Sequence, residues 1–201
     1  MKFATVIKAL HSIPTKSLKL IGIAALSAAA FSSCSSIHPR EEVVVSVKDQ
    51  RMALLKQGEI VKTYPVSTSK FGLGNSKGSG HTPLGKMVVA KKIGGGAPAG
   101  AVFKSRKRTG EIIKPNAPGR DPIVTRIMWL KGMEFVNRNT FSRYIYIHGT
   151  PEEKNIGRPA SYGCIRMKSK DVIDLYKRLN VGSEVQVVKH SLDRYDDDDN
   201  S

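Results

Sequence analysis

Between Val43 and Lys189 the chain breaks into short apolar runs separated by Gly, Pro, Asn and Asp, and a single window has helical spacing. Runs of that length, alternating or continuously apolar and bounded by turn residues, are strand signals. "VVVSVKD" and "RMALLKQG", split by Asp49-Gln50, read as a hairpin, and "EIVKTYPVST" follows Gln57-Gly58. "GKMVVAKKIG", "GAVFKSRKRTGEII", "DPIVTRIMWL" and "RYIYIHG" continue the series, with "SEVQVVKH" as a closing strand. In "RYIYIHG", period two sends Ile145 and Ile147 to one face and Tyr144, Tyr146 and His148 to the other. The exception is "SKDVIDLYKRLN", where Val172, Leu175, Tyr176 and Leu179 share a helical face. Ser169 is the expected N-cap, Asp171 suits the first turn, and Gly182 lies just beyond the end. The pattern predicts one mostly-β domain over 43–190 with one late helix packed on it. About 150 residues are enough for a single real core.

The ends read differently. Residues 1–33 carry Lys2, Lys8, Lys16 and Lys19, no acid, and the apolar run "LIGIAALSAAAFSS". That is the pattern of a secretory signal, too short in its apolar part for the roughly 20 residues of a spanning helix. Small residues followed at once by Cys34 resemble a bacterial lipobox, which implies lipidation of Cys34, a polar linker over 34–42 and an exported, membrane-anchored protein in the cell envelope. Residues 191–201, rich in Asp, are expected to form a disordered acidic tail. The formal charge of +16 falls to +12 when the four signal lysines are removed. Such a charge suits a polyanionic partner, and export favours a cell wall or lipid surface over nucleic acid. The run "KSRKR" at 104–108 reads as a solvated hairpin tip.

With Cys34 committed to lipid, Cys164 has no disulfide partner in an oxidising compartment, where a structural cysteine is normally paired. Cys164 sits beside Gly163, 16 residues after His148 at the end of a strand. A neighbouring imidazole that takes a thiol's proton makes it a nucleophile.

"HGTP" at 148–151 and "SYGCIRM" at 161–167, followed by a helix and "GSEVQVV", resemble the L,D-transpeptidase catalytic domain of the YkuD type. Upstream, "VSVKDQRMALLKQGEIVKTYPVSTS" and "HTPLGKMVV" resemble the family's opening hairpin and Thr-Pro-x-Gly segment, so the likeness spans roughly 43–189. It implies a β-sandwich or barrel of mixed strands, and chemistry without a metal or organic cofactor. It makes Cys164 the nucleophile and His148 its base, with the Gly149 carbonyl orienting the imidazole. The amides around Tyr162, Gly163 and Cys164 become the oxyanion hole, Gly163 allows substrate to approach the backbone, and Ser161, Arg166 and His81 are substrate-binding candidates. Arg166 suits either a structural role or a carboxylate partner. Tyr162 departs from the family, which usually has His there; a phenol is no base near neutral pH.

The implied substrate is a peptidoglycan stem peptide, acylating Cys164 with loss of terminal D-Ala and passing to an amine to form a cross-link. Water as acceptor gives an L,D-carboxypeptidase, and a protein amine gives attachment to, or in reverse detachment from, the wall. A non-enzymatic wall-binding lipoprotein on the same scaffold is the rival of another class. A nucleic-acid binder has only the charge in its favour, with no stacking aromatics or recognition helix. The acceptor and the oligomeric state are not legible.

Overall fold

A computed structural model describes residues 41–195. The signal, Cys34, most of the linker and the end of the tail lie outside them; the first part of the expected disordered tail is instead a 3-10 turn at Leu192–Tyr195, held because Leu192 is buried against Val44 and Leu55. The opening hairpin is β1 (Glu41–Ser46) and β2 (Arg51–Lys56), antiparallel with Val45 opposite Met52, and Gln50 takes a left-handed φ of 48° at the turn. β3 (Glu59–Pro65) follows the Gln57-Gly58 turn, then come β4 (Gly85–Ile93), β5 (Ala101–Lys104) and β6 (Lys107–Ile112). The expected solvated tip is found: β5 and β6 turn at Ser105-Arg106, both at positive φ, and β6 is exposed throughout. β7 (Ile123–Gly132), β8 (Tyr146–Gly149), β9 (Ile165–Met167), the helix α1 (Ser169–Arg178) and β10 (Glu184–Val188) complete the domain.

The strands form one mixed sheet in the order β3-β2-β1-β10-β4-β7-β5-β6, with β8 and β9 continuing from the other edge of β7. β1–β10 and β8–β9 are the parallel pairs. Just past β3, Ser67 bridges Arg166 of β9. Followed from β9 through β8, β7, β4, β10, β1, β2 and β3, the sheet thereby closes on itself, and the barrel has no free edge along that path. β7 is buried on both faces over 124–130, and past Thr125 and Arg126 it reads as the apolar run "IMWL". Met128 and Leu130 enter the main core with Val45, Leu54, Ile147, Ile165 and Leu175, while Ile127 and Trp129 face a second cluster with Phe103 and Tyr146. α1 inserts Val172, Leu175 and Leu179 into the main core, and Lys92 of β4 donates to the Tyr176 and Leu179 carbonyls at its C-terminal end. Its N-cap is Lys168, not Ser169. The Ser169 hydroxyl instead pairs with Thr125 at 2.8 Å, and Glu153 accepts the Ser169 N–H. The long-range partners outbid the local cap.

Candidate active site

The gap between His148 and Cys164 is a topological requirement. β8 and β9 run parallel, with Ile147 opposite Ile165 and His148 opposite Arg166. A parallel pair cannot be joined by a tight turn and needs a crossover of a dozen or more residues; residues 150–164 are that crossover. The strand β9 is three residues long, too short to stand out in the sequence. Period two then places Tyr146, His148 and Arg166 on one face, with Cys164 in line just before the strand, while Ile147 and Ile165 point into the main core. Cys164 accordingly packs against the second cluster beside Tyr146.

His148 is 6% exposed, and its Nδ1 lies 2.8 Å from the Gly149 carbonyl. A carbonyl can only accept, so Nδ1 carries the proton and Nε2 holds the basic lone pair. The strand approaches closely enough because residue 149 is glycine: a Cβ there would sit 2.7 Å from the Val124 carbonyl. The facing stretch of β7 is a bulge between Val124 and Ile127, where Thr125 is buried at φ 73°. A β-branched residue at positive φ is an outlier, and such strain gathers at functional sites.

The cysteine turn is braced from within and from the neighbouring loop. The Ser161 hydroxyl donates to the Cys164 carbonyl at 2.6 Å and accepts the Gly163 N–H at 3.2 Å. The Thr82 hydroxyl donates to the Gly163 carbonyl at 3.0 Å. Gly163 has φ 116°, and a Cβ would fall 3.1 Å from the His81 carbonyl and 3.3 Å from that of Gly80. The close approach that demands glycine is therefore that of the 80–81 backbone. Among the described residues the Tyr162 and Cys164 N–H groups have no acceptor, whereas Gly163's is taken by Ser161.

Of the other expected residues, Ser161 is buried as this brace, and its hydroxyl faces the turn rather than a substrate. Arg166 is 3% exposed and ion-paired with Asp121, whose other oxygen accepts from Thr150. It holds a carboxylate of the protein's own. His81 meets the site through its backbone: its carbonyl accepts from Arg143 at 2.6 Å. Tyr162 is 68% exposed and accepts Lys70 Nζ at its hydroxyl, 2.9 Å away. The sequence reading passed over Asp121, Thr82 and Arg143. Each reaches its partner across tens of residues, and no local spacing marks such contacts. Arg143 stands within electrostatic reach of Cys164 while its own hydrogen bonds tie Gly74, Ser79 and His81 together.

The resting pair is neutral. Burial holds the His148 imidazole down to about 4, against the opposing pull of the Gly149 carbonyl and Asp121. Burial likewise pushes the Cys164 thiol up to about 11, against the Tyr146 backbone, Arg143 and Arg166. The thiol donates to the Tyr144 carbonyl at 3.5 Å, and no hydrogen bond joins it to His148. The Sγ–Nε2 contact has to close before the proton moves, and such catalytic hydrogen bonds are often unmade in resting sites.

Residues 40–187 match the family of L,D-transpeptidase catalytic domains called YkuD. The YkuD protein of Bacillus licheniformis is 24% identical over 72% of this chain and 64% of its own length. YqjB of Bacillus subtilis is 27% identical over 72% of this chain and 69% of its own. The chain thus spans about two thirds of the length of the curated relatives it matches. The solved L,D-transpeptidase from Mycobacterium smegmatis aligns at 15% identity and a TM-score of 0.48, covering 75% of this chain and 59% of that one. The match over most of the chain, on a mixed barrel with a histidine on one strand and a cysteine just before the strand parallel to it, makes this protein a member of the YkuD family of L,D-transpeptidase catalytic domains.

Proposed function

We propose that the protein is a cysteine-dependent L,D-transpeptidase acting on peptidoglycan stem peptides. The observation that carries this reading is the 2.8 Å contact from Nδ1 of His148 to the Gly149 carbonyl, which leaves Nε2 basic on the face that Cys164 shares. In this reading Sγ attacks the carbonyl at the L-centre of a diaminopimelate residue while Nε2 takes the thiol proton. Both groups rest neutral, so Nε2 has to take the thiol proton by the time the carbon–sulfur bond forms. The oxyanion accepts from the unpaired Tyr162 and Cys164 amides, an interaction of about 3–4 kcal/mol per donor. Collapse breaks the bond to D-Ala, whose amine leaves with the imidazolium proton. The amine of a second stem then attacks the thioester, loses its proton to Nε2 and frees Cys164. The Arg166–Asp121 pair and the Ser161 and Thr82 hydroxyls hold the frame. Export and lipid attachment at Cys34 place the enzyme at the wall.

Mass spectrometry of stem tetrapeptides incubated with the protein tests the reading. A cross-linked dimer with released D-Ala is expected, absent with Cys164→Ala. Tripeptide alone would make it a carboxypeptidase, and turnover by Cys164→Ala would overturn the cysteine mechanism. For the anchor, a palmitate analogue should label the wild type and not Cys34→Ala; an unlabelled wild type would mean ordinary secretion.

A further inference from the structure

The turn that follows β7 shows three large apolar side chains to solvent within four positions: Met133 is 59% exposed, Phe135 78% and Val136 67%. Nine such apolar or aromatic side chains are exposed among the described residues, so a third of them meet in this one turn. Single exposed apolar residues are ordinary, but a contiguous group marks a surface that something covers. The turn is also firmly held. Asn137 is 1% exposed, its side-chain amide donates to the Leu84 and Lys86 carbonyls at 2.9 Å each, and its Oδ1 accepts the Glu134 N–H at 2.9 Å. The Met133 N–H donates to the Lys86 carbonyl at 3.0 Å, and the Glu134 carboxylate accepts the Lys86 N–H at 3.0 Å. These bonds fix a 3-10 turn over Phe135–Asn137 and keep Phe135 and Val136 in water, a cost that a covering apolar phase removes.

The surroundings name the occupant. Lys86, Lys131 and Arg138 are exposed, with the Arg138 guanidinium 3.9 Å from the centre of the Phe135 ring. Asn75 and Ser76 share a surface hollow with Phe135 and Val136, and the exposed Lys77 follows them. Glu134, the acid of the turn, is committed to the Lys86 N–H. Three side chains on one turn are too small a patch for a stable protein interface, which takes about 800 Å² per partner. They suffice as a foothold on a lipid surface, where apolar side chains enter at headgroup level and Lys and Arg stay with the phosphates. The turn's place in the sheet agrees. Val43 of β1, Val185 of β10, Met87 of β4 and Gly132 of β7 pair in one row, three strand spacings or about 14 Å along the sheet. Cys34 stands seven residues before Glu41, where β1 begins, a tether of at most about 25 Å. A lipid on Cys34 therefore leaves the turn within reach of the same bilayer. We propose that the turn at 133–136 is a docking tip for an anionic lipid surface, which seats the domain on a membrane. The inference goes beyond the stem-peptide reading and stands without it.

The test puts a reporter at the tip. Full-length Phe135→Trp protein is mixed with phosphatidylcholine vesicles made with or without phosphatidylglycerol, and tryptophan emission is followed. The wild type, whose single tryptophan Trp129 is 8% exposed, is the blank. With phosphatidylglycerol present, emission of the new indole should move to the blue and be quenched by bromine-labelled acyl chains, and added salt should weaken both effects. Adding Val136→Asp, at an exposed position, should raise the vesicle concentration for half effect at least about tenfold. Thermal melts matching the parent's check the fold. If the protein sediments with vesicles while the indole stays in water, it is held by its N-terminus alone and the docking tip is overturned. Insertion indifferent to phosphatidylglycerol overturns it too. So does an indole already buried without lipid in a protein that scatters light as a dimer, where a second copy is the occupant.

Discussion

Cys164 is held from two sides by opposite means. On the strand side, the Thr125 bulge, Gly149 and the Arg166–Asp121 pair are packed so closely that a single added Cβ meets backbone. On the loop side, the turn from Ser161 to Cys164 hangs on the Ser161 and Thr82 hydroxyls, meets backbone closely only at Gly163, and carries Tyr162, an exposed ring bound to an exposed lysine. The contrast locates specification. Where backbone and buried charge are already matched, the residue type is dictated; where the side chain leaves the site, it is free to change. Tyr162 occupies the position at which the family resemblance leads one to expect His, and its side chain contributes to the rim while its amide faces the turn. A departure from the motif at this residue is thus compatible with an intact site.

The contrast breaks most readily at Gly149. Gly149→Ala pushes a methyl against the Val124 carbonyl, which should cost about 1–3 kcal/mol in urea unfolding. Displacing the carbonyl that aims His148 should slow single-turnover acylation by about a hundredfold, the usual effect of small misplacement in a catalytic array. Asp121→Asn should come next. It strands the Arg166 guanidinium, but Asp121 is 25% exposed and Glu152 remains 3.8 Å away. The loss should be about 2 kcal/mol, below the roughly 3–5 of a fully buried pair.

A smaller effect follows from the imidazole. His148 titrates at about 4 in the fold against 6.5 for the free side chain. Between those values the unfolded chain binds the proton and the folded one does not, so stability is full above about 6.5 and declines as pH falls toward 4. The acid limb of kcat/KM should have its midpoint near 4, and a limb near 6.5 would mean that His148 is better solvated than the fold implies. Smallest is Tyr162→Phe. It removes a hydroxyl that only Lys70 uses, and acylation should change less than about threefold, the low end of a hydrogen bond's worth. A hundredfold loss would erase the distinction between the two sides.

Much of the strand side was legible before any coordinates. Alternation marked β8 and the facing of Ile147 and His148, and the lone helix showed its apolar stripe at Val172, Leu175 and Leu179. What stayed hidden is long-range. β9 is too short for any periodicity, and nothing local says that β10 lies between β1 and β4. Asp121 meets Arg166 across 45 positions and Thr82 meets Gly163 across 81. Each is a polar residue in a loop, indistinguishable by type from solvated neighbours. Ser169 misled for the same reason: its hydroxyl has a better partner in Thr125 than in its own helix.

The central claim is that Sγ of Cys164 carries the acyl group while His148 moves its proton. Intact-protein mass spectrometry with peptide mapping, after brief mixing with a diaminopimelate tetrapeptide and an acid quench, reads this directly. The account predicts a mass gain equal to the stem minus D-Ala, mapped to Cys164 as a thioester labile to hydroxylamine, lost in Cys164→Ala and slowed in His148→Ala. An adduct on any other residue, or D-Ala release by Cys164→Ala at the wild-type rate, would contradict it.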